Sequence, residues 1–257
     1  MATYNGSMTR TTDSGRSAAA AARKPSTKTV AKASTRTAGG TATPRAVGRK
    51  AKTASPYHHG DLHDALLKAA ERILERDGLS GLTLRAVARE AGVSHAAPAH
   101  HFGDLTGLLS ELAAIGYRRF GAAMMAAGSS GHSLAESGLA RGKAYVDFAH
   151  TQPAMYQLMF SAERLDMSNP ALAMAADASF AGLAQSIGKA RHETISEDAL
   201  TLEQAADIAR VWSLVHGFSM LLIDGRLNGI LNHLPDGTDA EMLLDTMLRL
   251  AVSRIGK

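Results

Sequence analysis

The stretch "GLSGLTLRAVAREAGVSHAAPAHHFGDLTGLL", residues 78–109, decides the fold. Thr83 carries a hydroxyl that can cap a helix, and Leu84, Val87, Ala88 and Ala91 recur behind it on one face until Gly92 stops the run. Ser94 is then placed to cap a second short segment ending at His101, and Asp104 to cap a longer helix through Leu108, Leu109 and Leu112. With Ser94 as N-cap, Pro98 falls at the fourth helical position and forfeits only the first hydrogen bond of the ladder. Two short helices joined by a glycine-containing turn have the dimensions of a helix-turn-helix.

Working upstream, "DLHDALLKAAERILERDG" at 61–78 places Leu62, Leu66, Ala69 and Ile73 at i, i+4, i+7 and i+11, with Leu67, Ala70 and Leu74 widening the stripe. Asp61 and Asp64 lie where the helix dipole favours acids, and Gly78 supplies the stop. Downstream, the Asp104-capped helix runs to about Ala127, and "GSSGH" breaks it. Further helical patterns cover about 134–150, 153–161, 170–191, 201–225 and 238–254, separated by Pro-, Gly- and Asn-containing joints. No segment sustains period-2 alternation. The expected class is all-α, with an N-terminal helix-turn-helix domain at 57–118 (motif about 83–102) and a larger helical domain at 119–257.

The chain has no cysteine, which excludes disulfides, zinc–thiolate sites and thiol chemistry and fits a reducing cytoplasm. The most apolar run, "FSMLLI" at 218–223, is far shorter than the roughly 20 residues of a membrane span, so a soluble protein without a membrane partner is expected. A Gly-rich phosphate loop, a Gly-x-Ser-x-Gly elbow and a dinucleotide fingerprint are all missing, which argues against an enzyme.

Charge divides the chain. Residues 1–56 hold eleven Lys and Arg against one acid, Asp13, although the net charge of the whole is only +4. This arm of Ala, Thr, Ser, Gly and basic residues lacks the apolar side chains needed to offset chain entropy, so disorder is expected. Three readings stay open for it: a solvated extension, with Met8 as an alternative start; a tail that tracks DNA phosphates by releasing counterions; and a transit peptide.

Several residues are candidates for DNA contact. Thr83 and the free amides behind it suit a phosphate, and Arg85 is better placed than Arg89 because it lies nearer the start of its helix. Ser94 and His95 open the segment that normally reaches base edges; His95 can donate to guanine N7 or O6, and Ala96 and Ala97 leave room for close approach or for thymine methyls. His100 belongs near the backbone, and His101 either joins it or packs inward beside Phe102. A rival reading uses His59, His63, His100 and His101 as metal ligands, but neighbouring helical residues diverge by about 100° and no carboxylate motif accompanies them, so no metal is expected.

In the C-terminal part, Trp212 and His216 share a helix face and suit either a ligand pocket or a core, while Met155, Met159, Phe160, Met174 and Phe180 are candidates for an adaptable apolar lining.

The 78–109 stretch resembles the DNA-binding domain of the tetracycline-repressor (TetR) family of bacterial regulators, through its Thr cap, its Ala-Gly-Val-Ser turn and its His-Phe ending. "YHHGDLHDALLKAA" at 57–70, "PAMYQLMF" at 153–160 and "WSLVHGFSMLLIDGRL" at 212–227 resemble a subgroup with a Trp-His-Gly-type C-terminal domain. The resemblance implies a cytoplasmic, nucleoid-associated homodimer on double-stranded DNA, in which an unknown small-molecule effector rather than a cofactor shifts the separation of two reading heads. Two positions depart from the family: Ala99 stands where a tyrosine is usual, and Leu105 where many members carry lysine. Arg, Lys, Asn and Gln are also absent from 95–101, so direct base readout is expected to be sparse. The alternatives are a nucleoid-type architectural binder dominated by the arm and, from the histidines, a helical metal sensor.

Overall fold

A computed structural model describes residues 59–196 and 198–252. The basic arm, and every expectation attached to it, lies outside these residues. Ten α-helices form among them: α1 (His59–Gly81), α2 (Leu84–Ala91), α3 (Ala97–Phe102), α4 (Leu105–Ser129), α5 (Leu134–Thr151), α6 (Pro153–Met159), α7 (Pro170–Arg191), α8 (Leu202–Ile223), α9 (Asn228–Leu231) and α10 (Ala240–Val252). No strand occurs among the described residues, and the class is all-α as expected.

The first three helices follow local chemistry. Gly78 takes a left-handed conformation (φ 68°) that ends the regular part of α1, although helical turns continue to Gly81. Thr83 accepts a hydrogen bond from the Ala86 amide at 3.1 Å, and Gly92 closes α2 in the left-handed region with its N–H on the Ala88 and Arg89 carbonyls. The expected cap at Ser94 is a correction. Its carbonyl accepts from the Ala97 amide at 3.0 Å, but the residues after it form a turn, and α3 begins three residues later with no side-chain cap on Ala96. The physical reason is Pro98. At the second helical position its missing N–H is one that the helix would leave unpaired anyway, so a later start lets the proline enter without losing a bond.

Asp104 caps α4 by accepting from the Gly107 amide at 2.9 Å, as its spacing predicts. At 25 residues, α4 passes from the head into the C-terminal half. α7 and α5 both pack against it, and α6 packs against both α4 and α1. Ser133, Asn169 and Thr201 cap α5, α7 and α8, the last in a reciprocal capping box with Gln204. Among the C-terminal segments, 153–161 stops as helix at Met159, followed by a 3-10 turn at Ala162–Arg164, 201–225 stops at Ile223, and the short α9 was not expected. Buried apolar residues from Leu66 on α1 to Leu248 on α10 make one contiguous core. Glide of α4 over α6 is restricted at Gly116, where an added Cβ would sit 2.8 Å from the sulfurs of both Met155 and Met159.

Candidate functional site

The candidate nucleic-acid interface is built from the start of α2, the turn and α3. α3 has only six residues, and it is held by what it buries: Pro98 is fully enclosed and Phe102 nearly so. The other side is open. Ser94, His95, Ala96, Ala99 and His100 are exposed, with Ala97 half-buried. Thr83 and Arg85 are exposed beside them, and Arg85 forms no ion pair among the described residues. By contrast, Arg72 and Arg76 on α1 grip Glu90 of α2 at 3.0 and 3.4 Å and dock the two helices together. Arg119 of α4 pairs with Glu71 of α1. Arg85, His95 and His100 are exposed and in no ion pair among the described residues, so they remain available to an anion.

His101 resolves inward. Its ring centroid lies 6.0 Å from that of His63 on α1 and 6.2 Å from Phe102, with His100 at 5.6 Å. Of the proposed metal set, His63 is engaged elsewhere, its Nε2 lying 2.9 Å from Glu111 Oε2. Among the described residues, no group of three or more His, Asp or Glu side chains is arranged to hold a metal ion; the His59 side chain lies outside them.

In the C-terminal half, a polar aromatic cluster gathers around His216. The Tyr156 hydroxyl lies 2.7 Å and the Tyr145 hydroxyl 3.1 Å from its Nδ1. The two hydroxyls are 3.1 Å apart, and the Trp212 indole N–H donates to Tyr145 at 3.3 Å. Burial pulls the imidazole below its usual pKa of 6.5 and pushes the Tyr145 hydroxyl up, so every member is uncharged near neutrality. Nδ1 then acts as the acceptor, which places the ring proton on Nε2. Phe160 stands edge-on to His216 with centroids 4.7 Å apart. On its far side Tyr117 donates to the Met159 carbonyl at 2.9 Å, and burial pushes that phenol up to about 12.

Sequence reasoning found Trp212, His216 and Phe160 but missed Tyr145 and Tyr156, which arrive from α5 and α6. The available signal was compositional: the chain has one Trp and five Tyr, and three of those six converge here. The expected lining does not assemble as a set. Met155 and Met159 are buried under Gly116, close to the cluster. Met174 is a correction: it is 74% exposed, because α7 buries Leu172, Ala175 and Ala176 and turns position 174 outward. Phe180 packs in a separate patch with Ala184, Ile187 and Ile208.

Comparison with known proteins bears on both halves. Residues 66–112 match the bacterial regulatory proteins of the tetR family, and residues 139–250 match the tetracyclin repressor-like C-terminal domain. Among solved structures, the chain is similar to a protein of unknown function from Rhodococcus sp. RHA1, with 30% identity and a TM-score of 0.60, covering 79% of this chain and 97% of that one. A bacterial regulatory protein in the tetR family from Rhodococcus RHA1 is 18% identical with a TM-score of 0.52, over 76% and 97% of the two chains. The TetR family transcriptional regulator PfmR from Thermus thermophilus is 18% identical with a TM-score of 0.50, over 75% and 99%. The last two share the fold. No curated protein matches the chain.

Proposed function

Because the chain belongs to the TetR family of bacterial transcriptional regulators, which are not enzymes, we propose that it is a cytoplasmic, ligand-responsive repressor that binds a palindromic operator as a homodimer. The observation that carries this reading is the division of α3 and the turn before it: Pro98 and Phe102 are buried, while His95 and Ala96 on the turn and Ala99 and His100 on the helix are open beside Arg85 and Thr83. In the major groove, imidazole N–H groups donate to guanine N7 or O6, and the alanines admit the groove wall and thymine methyls. Thr83 and Arg85 hold phosphate. His101, turned toward α1, seats the helix instead of reading bases.

The homodimer is supported by α8. This 22-residue helix is apolar enough over an 18-residue window (mean hydropathy 1.3) to cross a membrane by composition, yet only 22% of that window is buried. Its Asp207 is paired with Arg191 and Arg210, so the helix belongs to a bundle whose remaining face needs a cover. An effector is proposed at the His216 cluster, where aromatic walls surround uncharged hydrogen-bonding groups. It acts as a repressor ligand only by preferring the dimer geometry that does not fit DNA.

Footprinting of the full chain on DNA selected from random sequence tests the reading. Two protected half-sites about 34–36 Å apart, or a multiple of that spacing, are expected. Uniform protection without sequence preference would instead support an architectural binder.

A further inference from the structure

The recognition helix cannot place itself. Six residues are too few for a helix to persist without tertiary support, and no side chain caps its start. Its position is set by the groups that clamp its two ends. Pro98 is sunk into the head at one end. At the other, Phe102 is met by the imidazole of His63, with ring centroids 4.7 Å apart and planes tilted by 36°. That same imidazole reaches α4, where its Nε2 lies 2.9 Å from Glu111 Oε2. One side chain thus touches three helices: it grows from α1, stacks on the last residue of α3 and meets Glu111 of α4.

From this geometry we infer that His63 is the positioning residue of the reading head, a clutch that fixes the register of the recognition helix to α4 through Phe102 and Glu111. The charged and titratable groups that face it among the described residues are Glu111 on α4, Asp64 on α1 with Oδ1 3.6 Å from Nδ1, and His101 on α3 with its ring at 6.0 Å. The Glu111 carboxylate on the Nε2 side and the Asp64 carboxylate on the Nδ1 side favour the same ring orientation. A ring so held fixes the plane on which Phe102 rests. α4 continues for 18 residues beyond Glu111 into the C-terminal half, so the contact also lies on the route by which any shift of α4 reaches α3. A metal reading of His63 gives way to this one, since among the described residues no group of three or more His, Asp or Glu side chains is arranged to hold an ion.

The role differs from general stabilisation in a measurable way. A misplaced recognition helix loses base contacts but keeps phosphate contacts made elsewhere, so specific affinity falls while non-specific affinity stays. The inference rests on the reading of α3 as the DNA-reading helix. The full chain is used, with an operator duplex selected by the wild-type protein and a scrambled duplex of equal length. His63→Phe keeps a ring against Phe102 but cannot donate. It is expected to lower operator affinity at least tenfold while scrambled-duplex affinity and its salt slope stay within twofold. His63→Gln, whose amide can place an N–H near the Nε2 position, is expected to recover most of the loss. Glu111→Gln combined with His63→Phe is expected to be no worse than His63→Phe alone, because both remove the same contact. Equal losses on both duplexes, additive losses in the double variant, or unchanged operator affinity in His63→Phe would overturn the assignment. Failure of the wild-type protein to select any sequence would sink the DNA-reading role of α3, a different result from a selected site that ignores His63.

Discussion

At the residue scale, His216 supplies the nitrogen acceptor on which two phenol hydroxyls converge. Trp212 and Tyr156 donate to the Tyr145 hydroxyl, and the imidazole Nδ1, 3.1 Å from Tyr145 and 2.7 Å from Tyr156, accepts the remaining phenolic proton. Leaving such donors unpaired costs about 1–3 kcal/mol for each group stranded away from water. The imidazole is held neutral by burial, and that sets a sign. The unfolded ring binds its proton near the ordinary pKa of 6.5 and the folded ring only below it, so its contribution to stability is complete above that value and fades as pH falls through the folded pKa. Thermal unfolding of the wild type between pH 8 and 5 is therefore expected to show a falling Tm that His216→Asn flattens, since Asn can supply an acceptor near Nδ1 and does not titrate. His216→Leu is expected to lower stability by about 1–3 kcal/mol at pH 8. A pH profile that is the same in wild type and His216→Asn would count against this account. The spacing of α8 put Trp212 and His216 on one face, but the other two members lie 11 residues apart on other helices and meet His216 only after α5 and α6 fold back.

At the element scale, the corner between α3 and α4 is the tightest joint in the head. Gly103 turns the chain at φ 77°, Asp104 caps α4, and Gly107 then passes so close to α3 that an added Cβ would lie 2.1 Å from the Phe102 carbonyl oxygen. That obstacle is backbone and cannot rotate aside. Gly107→Ala is expected to destabilise the head by about 1–3 kcal/mol or more and to abolish operator binding. Gly138→Ala on α5, whose Cβ would meet nothing within 4 Å, serves as the control and is expected to leave operator binding intact. Calorimetry with gel-shift on each variant checks both, and tight DNA binding by Gly107→Ala would contradict the steric account. Caps made α2 and α4 legible in advance, since Thr83 and Asp104 act through backbone groups only three residues away. The start of α3 was misplaced because Ser94 offered a plausible cap and local reasoning could not weigh the burial of Pro98. Position 174 failed for a similar reason: a methionine on an alanine-rich helix carries no sign of which face meets the core until α4 is laid alongside.

At the scale of the whole molecule, two helices leave apolar side chains without cover. On α8, Leu202, Ala206, Ala209 and Ser213 follow one another at spacings of four, three and four residues, all exposed, and Leu221 continues the open face near its end. α10 adds Met242 and, four residues on, Thr246, also exposed. Both helices are anchored from behind, α8 on α5 and α10 on α5 through Gly142, where an added Cβ would lie 2.9 Å from Leu248, so neither can turn its apolar face inward. Small residues along α8 permit a second helix to approach closely, and spacings of three and four suit a packed helix pair. A second copy presenting the same stripe satisfies both helices at once, because a two-fold interface is self-complementary. It would also bury the exposed edge of Trp212, linking the proposed effector cluster to the spacing of the two heads. Ala209→Glu places a carboxylate at the middle of that stripe, where the two copies would face each other with like charge and no partner. Sedimentation is expected to show a folded monomer at concentrations where the wild type is dimeric. Operator affinity should fall by at least a hundredfold, as each monomer would hold a single half-site, while helical content by circular dichroism stays unchanged. A wild-type monomer, or an Ala209→Glu dimer with full operator affinity, would place the contact elsewhere and leave the apolar face of α8 to another partner.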